Sequence, residues 1–406
     1  MALTAAPDSE PVWRAKHPRT RLLTGAHAAA EAMRQMDPDV VPVYPITPQT
    51  PIVEAFAQFV ADGRVHTELM HMESEHSAMS AAVGAALAGA RTMTATASQG
   101  LAYMIEVVYI AAGLRAPVVL ALGNRALSGP INIHGDHSDA MLARDSGAVV
   151  AFAENAQEAY DLMLMAPRLA EHSDVLLPVM VGQDGFTITH SAEPVETLAD
   201  EAVAAFVGPY HVATPLLETA HPVTEGAFAM PDSYFELRCQ VQAANERTLE
   251  VWERVAEEYA ALSGRLLAPV DPYRLEDAGA VVITMGSAAG TIKDVVDRLR
   301  DRGEKVGLLK LRAFRPFPLP QILGLLRPGQ HVAVLERALS PGAYPPLFAD
   351  VASFLVRDHD VRSFVFGLGG RDLGFEEVEI AFEDLKQPAP SPAPIRYLGL
   401  GKEGPV

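Results

Sequence analysis

Two hydrophobic periods alternate along this chain. Short apolar runs at 40–43, 92–96, 118–122 and 175–181 read as buried strands. Between them, apolar positions recur three and four residues apart at 24–36, 49–60, 74–90, 100–113 and 157–170, the spacing of helices. Thr24 suits the N-cap of the first helix. A further strand is expected at 65–72, and a long loop from 122 to about 143. Strands and helices in this alternation build a parallel sheet with helices on both faces. The pattern weakens over 191–231, where prolines recur, and this stretch is expected to wrap a neighbour. A long amphipathic helix at 233–262 leads to a linker at 266–272. The alternation then resumes, with strands at 280–285, 306–311, 331–335 and 364–366 and helices at 288–302 and 349–356. The expected organisation is a first α/β domain with its wrapping extension at 1–265, a second α/β domain at 266–390 and an extended, proline-rich tail at 391–406.

Composition narrows the function classes. With 49% hydrophobic and 20% charged residues the chain folds rather than staying disordered. A net charge of -19 argues against a nucleic-acid surface and is compatible with a basic partner. The single cysteine, Cys239, excludes an internal disulfide and an iron–sulfur cluster held by this chain alone. It lies between apolar positions of the long helix and is expected to be a small buried hydrophobe. Residues 1–17 are polar and proline-broken, unlike a signal peptide, and the apolar runs stop well short of a membrane span. A cytoplasmic location without membrane contact is the expectation.

Candidate chemistry sits at the strand ends. Val43-Tyr44-Pro45-Ile46-Thr47-Pro48-Gln49-Thr50-Pro51 carries three prolines in seven residues, between a strand and a helix. That makes a stiff turn with the Thr47 hydroxyl at its tip, where parallel sheets bind ligands. Glu75 lies between a strand and an Ala- and Gly-rich helix, where Glu73 or Glu75 could equally complement the helix dipole. Arg125 follows the strand 118–122, a place suited to bidentate capture of a carboxylate, or to a surface ion pair. Ser98-Gln99-Gly100 opens a helix, where Ser98 could serve as a cap. The cluster His134-Gly135-Asp136-His137-Ser138-Asp139 matches no standard zinc spacing, so no metal is assigned to it, although Asp136 and His137 can order the loop. Gly286-Ser287-Ala288-Ala289-Gly290 and Gly367-Leu368-Gly369-Gly370 do not complete a dinucleotide fingerprint and read as tight turns.

Taken together, the Thr47 turn, Glu75 and the Arg125 loop resemble the alpha subunit of the 2-oxoacid:ferredoxin oxidoreductases, most closely the pyruvate enzymes, and the resemblance runs from about residue 25 to 385. It implies the pyrimidine-binding domain of a thiamine-diphosphate enzyme followed by a transketolase C-terminal-like domain. It implies that Glu75 contacts the cofactor's pyrimidine, where a carboxyl at the ring nitrogen favours the tautomer that activates thiamine. Pro45, Ile46, Ser98 and Gln99 would line the cofactor, and Thr47 and Arg125 would contact the 2-oxoacid. The implied reaction is CoA-dependent oxidative decarboxylation of pyruvate to acetyl-CoA and CO2, or its reverse. Branched-chain, 2-oxoglutarate and aryl 2-oxoacids are the alternative substrates. Thiamine enzymes hold Mg2+ and the diphosphate with a Gly-Asp-Gly turn and a later Asn. Here the nearest match is Gly182-Gln183-Asp184-Gly185, and no Asn occurs between Asn155 and Asn245. A diphosphate-binding beta subunit is therefore expected to complete the site and hold Mg2+, with gamma and cluster-bearing delta subunits, or fusions of them, passing electrons to ferredoxin. A transketolase-like transferase and a non-catalytic scaffold are the rival readings.

Overall fold

The computed structural model describes residues 19–389 and 394–401, so expectations for 1–18 and for most of the 391–406 tail fall outside the described residues. The first sheet has seven strands in the order Ala313–Arg315, Val149–Phe152, Val179–Asp184, Val118–Asn124, Thr92–Thr96, Val40–Val43 and Glu68–His71. All its pairings are parallel except the first. The strand Val118–Asn124 is buried along its whole length, as its unbroken apolar run requires. The helix Gly25–Met36 packs on the helix Ala156–Ala170 beside this sheet, and eleven of its twelve residues are buried. Thr24 caps it, accepting from the His27 N–H at 3.2 Å. Each buried Leu or Met on Ala156–Ala170 contributes about 2 kcal/mol of hydrophobic stabilisation.

A second, six-stranded sheet runs Ile395–Tyr397, Asp360–Val365, His331–Glu336, Ala280–Thr284, Val306–Leu311 and Val270–Tyr273, with only the last strand antiparallel. Two expectations change here. The 266–272 linker contributes the edge strand Val270–Tyr273. The described part of the tail is extended but not free: Ile395–Tyr397 pairs with Asp360–Val365, and Leu398 is buried. The stretch after 191 wraps its own domain. Ala192–Thr197 pairs antiparallel with Arg19–Thr24, and the Leu216 N–H reaches the Leu87 carbonyl at 3.0 Å.

Cys239 is exposed, contrary to the sequence expectation. The helix Tyr234–Ser263 has 30 residues, roughly 45 Å of rise, and its buried residues begin only at Val241. Its first two turns keep the amphipathic pattern but stay exposed among the described residues.

The two sheets are joined in two ways. Ala313–Arg315, from the second half of the chain, pairs with Val149–Phe152 of the first sheet. Beside that junction Glu158 accepts from Lys310 and Arg312 at 2.7 Å each, and the half-buried Glu154 and Asp271 complete the ion cluster. Burial alone would raise the Glu158 carboxyl, but the Arg312 and Lys310 charges outweigh it and hold the carboxyl down at about 2. Glu154, Glu158 and Asp271 could by spacing surround a cation, but Lys310 and Arg312 already occupy that role.

Candidate active site

The strands Val118–Asn124, Thr92–Thr96, Val40–Val43 and Glu68–His71 are neighbours, and all four run the same way. Their carboxyl ends form one rim, and every candidate residue stands on it. After Val40–Val43 the turn is pinned from beneath by Gln49. Its fully buried amide donates to the carbonyls of Tyr44 and Ala95 at 3.0 Å each. Pro45 and Thr47 are left exposed and Ile46 half-buried.

Glu75 is the first residue of the helix Glu75–Leu87. The capping role falls to Ser74, which accepts from the Ser77 N–H at 3.2 Å, while Glu73 takes the Ser77 hydroxyl at 2.5 Å. Glu75 is thereby released from local work. It is 8% exposed, and among the described residues no donor reaches its carboxylate. Gly100 keeps that carboxylate clear. A Cβ there would lie 2.9 Å from Glu75 Oε1 and collide with the Thr96 hydroxyl, which is itself buried without a partner. Gly100→Ala is expected to displace the carboxylate and lower turnover about a hundredfold, the effect of a misplacement near 1 Å. An unchanged kcat in the assembled complex would show that nothing depends on where Glu75 stands.

Arg125 is buried to 6% exposure. Its Nη1 donates to the Thr47 carbonyl and its Nε to the Asn132 carbonyl, both at 2.9 Å. Burial pushes its pKa below the ordinary guanidinium value, against the pull of Asp139, and the group stays charged at neutral pH. With Nε committed to Asn132, bidentate capture through the Nε edge is closed, and the Nη edge is what remains for it. No described residue occupies Nη2.

Ser98 and Gln99 open the helix Ser98–Gly113 on the same rim. Ser98 is fully buried in the left-handed region at φ 46°, and its hydroxyl donates to the carbonyl of Ala126 at 2.6 Å rather than into the crevice. Gln99 is half-buried, with its amide Nε2 shielded from solvent and unpartnered. The residue that sequence reading missed is Asp139. Fully buried, it accepts from the backbone N–H groups of Ser98 and Arg125 at 2.9 Å each and from the Asn124 amide at 3.0 Å. Burial pushes its carboxyl up to about 6, and these donors oppose the rise. It ties the Ser98 turn to the Arg125 turn. Its place at the end of a His- and Asp-rich loop was visible, but its partners are set by tertiary contact.

Asp184, in the nearest match to a diphosphate turn, is committed to a different task. Fully buried, it faces His137 Nε2 at 2.6 Å and Arg337 Nη1 at 2.9 Å and accepts from the Ser287 N–H at 2.9 Å and from the Ser287 hydroxyl. The carboxyl ends of the two sheets meet on this one carboxylate.

Two family profiles match this chain: "Pyruvate flavodoxin/ferredoxin oxidoreductase, thiamine diP-bdg" over residues 31–257 and "Pyruvate:ferredoxin oxidoreductase core domain II" over 278–378. A pyruvate synthase subunit PorA from Thermotoga maritima is 55% identical over 381 residues, covering 93% of this chain and 97% of the relative. The chain belongs to the pyruvate flavodoxin/ferredoxin oxidoreductase family. It is thus part of a 2-oxoacid:ferredoxin oxidoreductase. The fold agrees. A 2-oxoglutarate:ferredoxin oxidoreductase from Magnetococcus marinus superposes with a TM-score of 0.72 at 19% identity, over 91% of this chain and 65% of that one. A split-gene transketolase superposes at 0.52 and 12% identity, over 89% of this chain and 98% of that one. In this family's terms the first sheet is the thiamine-enzyme domain and the second the transketolase C-terminal-like domain.

Proposed function

We propose that this chain is the alpha subunit of a thiamine-diphosphate-dependent oxidoreductase that converts pyruvate and CoA to acetyl-CoA and CO2, or runs the reverse reaction. The observation that carries the reading is the near full-length identity to a pyruvate synthase subunit, joined to Glu75, Thr47 and Arg125 on one rim. The rim is open. The cavities of about 720 Å3 beside the long helix and about 540 Å3 beside Arg34 include none of these three residues. A diphosphate-binding beta subunit would supply the missing wall together with Mg2+, and gamma and delta subunits the clusters that lead to ferredoxin. With Cys239 alone on this chain, several thiolates must come from elsewhere.

The residues present fit thiamine diphosphate. A buried acid with no donor among the described residues and a Thr96 hydroxyl without a described partner flank the space that Gly100 leaves. When bound, the cofactor supplies the carbon nucleophile and electron sink that decarboxylation of a 2-oxoacid requires. Glu75 would hold the pyrimidine and share a proton at its ring nitrogen. Ile46 and Gln99 would bound the same space. Arg125 would receive the substrate carboxylate at Nη2, and the Thr47 hydroxyl, which is free of protein partners among the described residues, would orient the keto group.

The decisive experiment is anaerobic purification of the tagged chain with its companions, followed by assays of thiamine and iron and a substrate screen that starts with pyruvate. A preparation that keeps its assemblies but holds neither thiamine nor iron would leave the scaffold reading. Arg125→Ala is expected to raise KM for the 2-oxoacid about 10- to 100-fold, the worth of a charged hydrogen bond. An unchanged KM would remove Arg125 from the substrate site.

A further inference from the structure

Resting on the assignment of Arg125 above, we infer that the second domain positions the substrate guanidinium, gripping the Arg125 loop through the Gly369-Gly370 turn and Arg337. A single residue, Asn132, links the two. Its carbonyl accepts from Arg125 Nε at 2.9 Å, and its side-chain amide donates to the Gly369 carbonyl at 3.1 Å. Its side-chain oxygen also accepts from the His134 N–H at 2.6 Å, which fixes the amide's orientation.

Other contacts repeat the grip. The Gly369 N–H donates to Asp136 at 3.4 Å, and the same carboxylate holds the N–H and hydroxyl of Ser138 at 2.9 and 2.5 Å. Arg337 donates from Nη2 to the carbonyls of Gly135 and Gly367 at 3.3 Å each, and its own carbonyl accepts from the His137 N–H at 2.8 Å. The second half of the loop, 132–137, therefore leans on turns that follow strands of the second sheet.

Burial cannot do this work at the loop tip. Ile131 and Ile133 are 79% and 43% exposed, so the tip has no apolar anchor of its own. What holds it is a close backbone approach that only glycine permits. Gly369 and Gly370 have φ of 63° and 83°. A Cβ on Gly369 would lie 2.5 Å from the Asn132 amide nitrogen, and one on Gly370 would collide with His134 Cβ. The glycine turn that completes no dinucleotide fingerprint thus serves as the seat of the substrate loop. The loop in turn holds Arg125 by the edge that does not face substrate, which sets where Nη2 points. Asn132 and Gly370 are positioning residues, since neither touches substrate.

The test compares Gly370→Ala, Asn132→Ala, Arg125→Ala and the double variant Arg125→Ala/Gly370→Ala in the assembled complex, with pyruvate as the varied substrate. Gly370→Ala and Asn132→Ala are each expected to raise KM about tenfold with kcat held within about twofold and thiamine diphosphate affinity unchanged, the signature of lost substrate binding. In the Arg125→Ala background Gly370→Ala is expected to add nothing more to KM, because both changes act through one group. Asn132→Ala adds no atoms, so it carries the test if Gly370→Ala does not assemble. A fall in melting temperature or active fraction with KM unchanged would overturn the inference while leaving Arg125 in the site. If Arg125→Ala itself leaves KM unchanged, the Arg125 assignment falls and this inference with it.

Discussion

Replacing Glu75 with Gln is expected to lower turnover of the assembled complex by about a hundred- to ten-thousandfold, the range for removing a positioned proton-transfer group. The amide has the carboxylate's shape but cannot take up and return a proton. No described protein donor is lost, because none reaches the Glu75 carboxylate. The fold loses only a dipole interaction at the start of the helix Glu75–Leu87, about 0.3–1 kcal/mol. Chemistry should therefore fail while the protein stays folded. The check is kcat in anaerobically purified complex, with melting temperature and bound thiamine diphosphate measured on the same preparation. Retained turnover would mean that the acid is structural and would favour a scaffold.

The largest stability effect is expected at Asp184. Asp184→Ala should destabilise the folded chain by about 3–5 kcal/mol, the cost of leaving buried charge without its counterpart. The Arg337 guanidinium would remain buried at the junction between the sheets. Denaturant unfolding of the two proteins at neutral pH measures the difference, and a change under about 1 kcal/mol, the scale of an exposed pair, would show that the network contributes little. In the wild-type protein the Asp184 network should lose its contribution gradually on acidification. Burial alone would raise the Asp184 carboxyl, but the facing His137 and Arg337 outweigh it and hold it far below the usual range. A carboxyl lowered by folding stabilises the protein above its unfolded pKa, near 4, and that contribution fades as pH falls toward the folded value. The loss therefore begins where ordinary carboxylates titrate and continues into strongly acidic solution.

Much of this was legible in the sequence because local and tertiary preferences agree. The strands Thr92–Thr96 and Val306–Leu311 are buried on both faces, so their apolar runs have the same limits as the strands. Thr24 fills the first helix cap that its position announces. The strand-end placement of Thr47, Glu75 and Arg125 followed from the alternation alone. What stayed hidden depends on distant partners. Ala313–Arg315 is only three residues long and becomes a strand because Val149–Phe152 offers it an edge. The strand Val149–Phe152 and the short helix Ser138–Ala143 lie just beyond and within the expected long loop and were not foreseen. Nor was the helix Phe375–Leu385, whose apolar face is covered by a neighbouring helix, Ala288–Asp301. Cys239 fails in the opposite direction: periodicity gives the face of a helix, but not whether anything lies against it. Ser98 looked like a crevice residue, yet its left-handed backbone turns the hydroxyl inward to Ala126. Asp139 could not be ranked above its neighbours, because its donors come from two distant turns, at Ser98 and at Asn124-Arg125.

The three-residue strand Ala313–Arg315 has a consequence for anyone who would exchange parts between relatives. Because this piece of the second half completes the first sheet, a chimera joined near 265 brings in a foreign edge strand along with the foreign domain. Its backbone would pair with any sequence, but its side chains would have to suit Phe152, against which Phe314 sets its ring edge-on. A protease cut in the 264–269 segment would for the same reason leave two fragments still laced together, separable only under conditions that unravel the sheet itself.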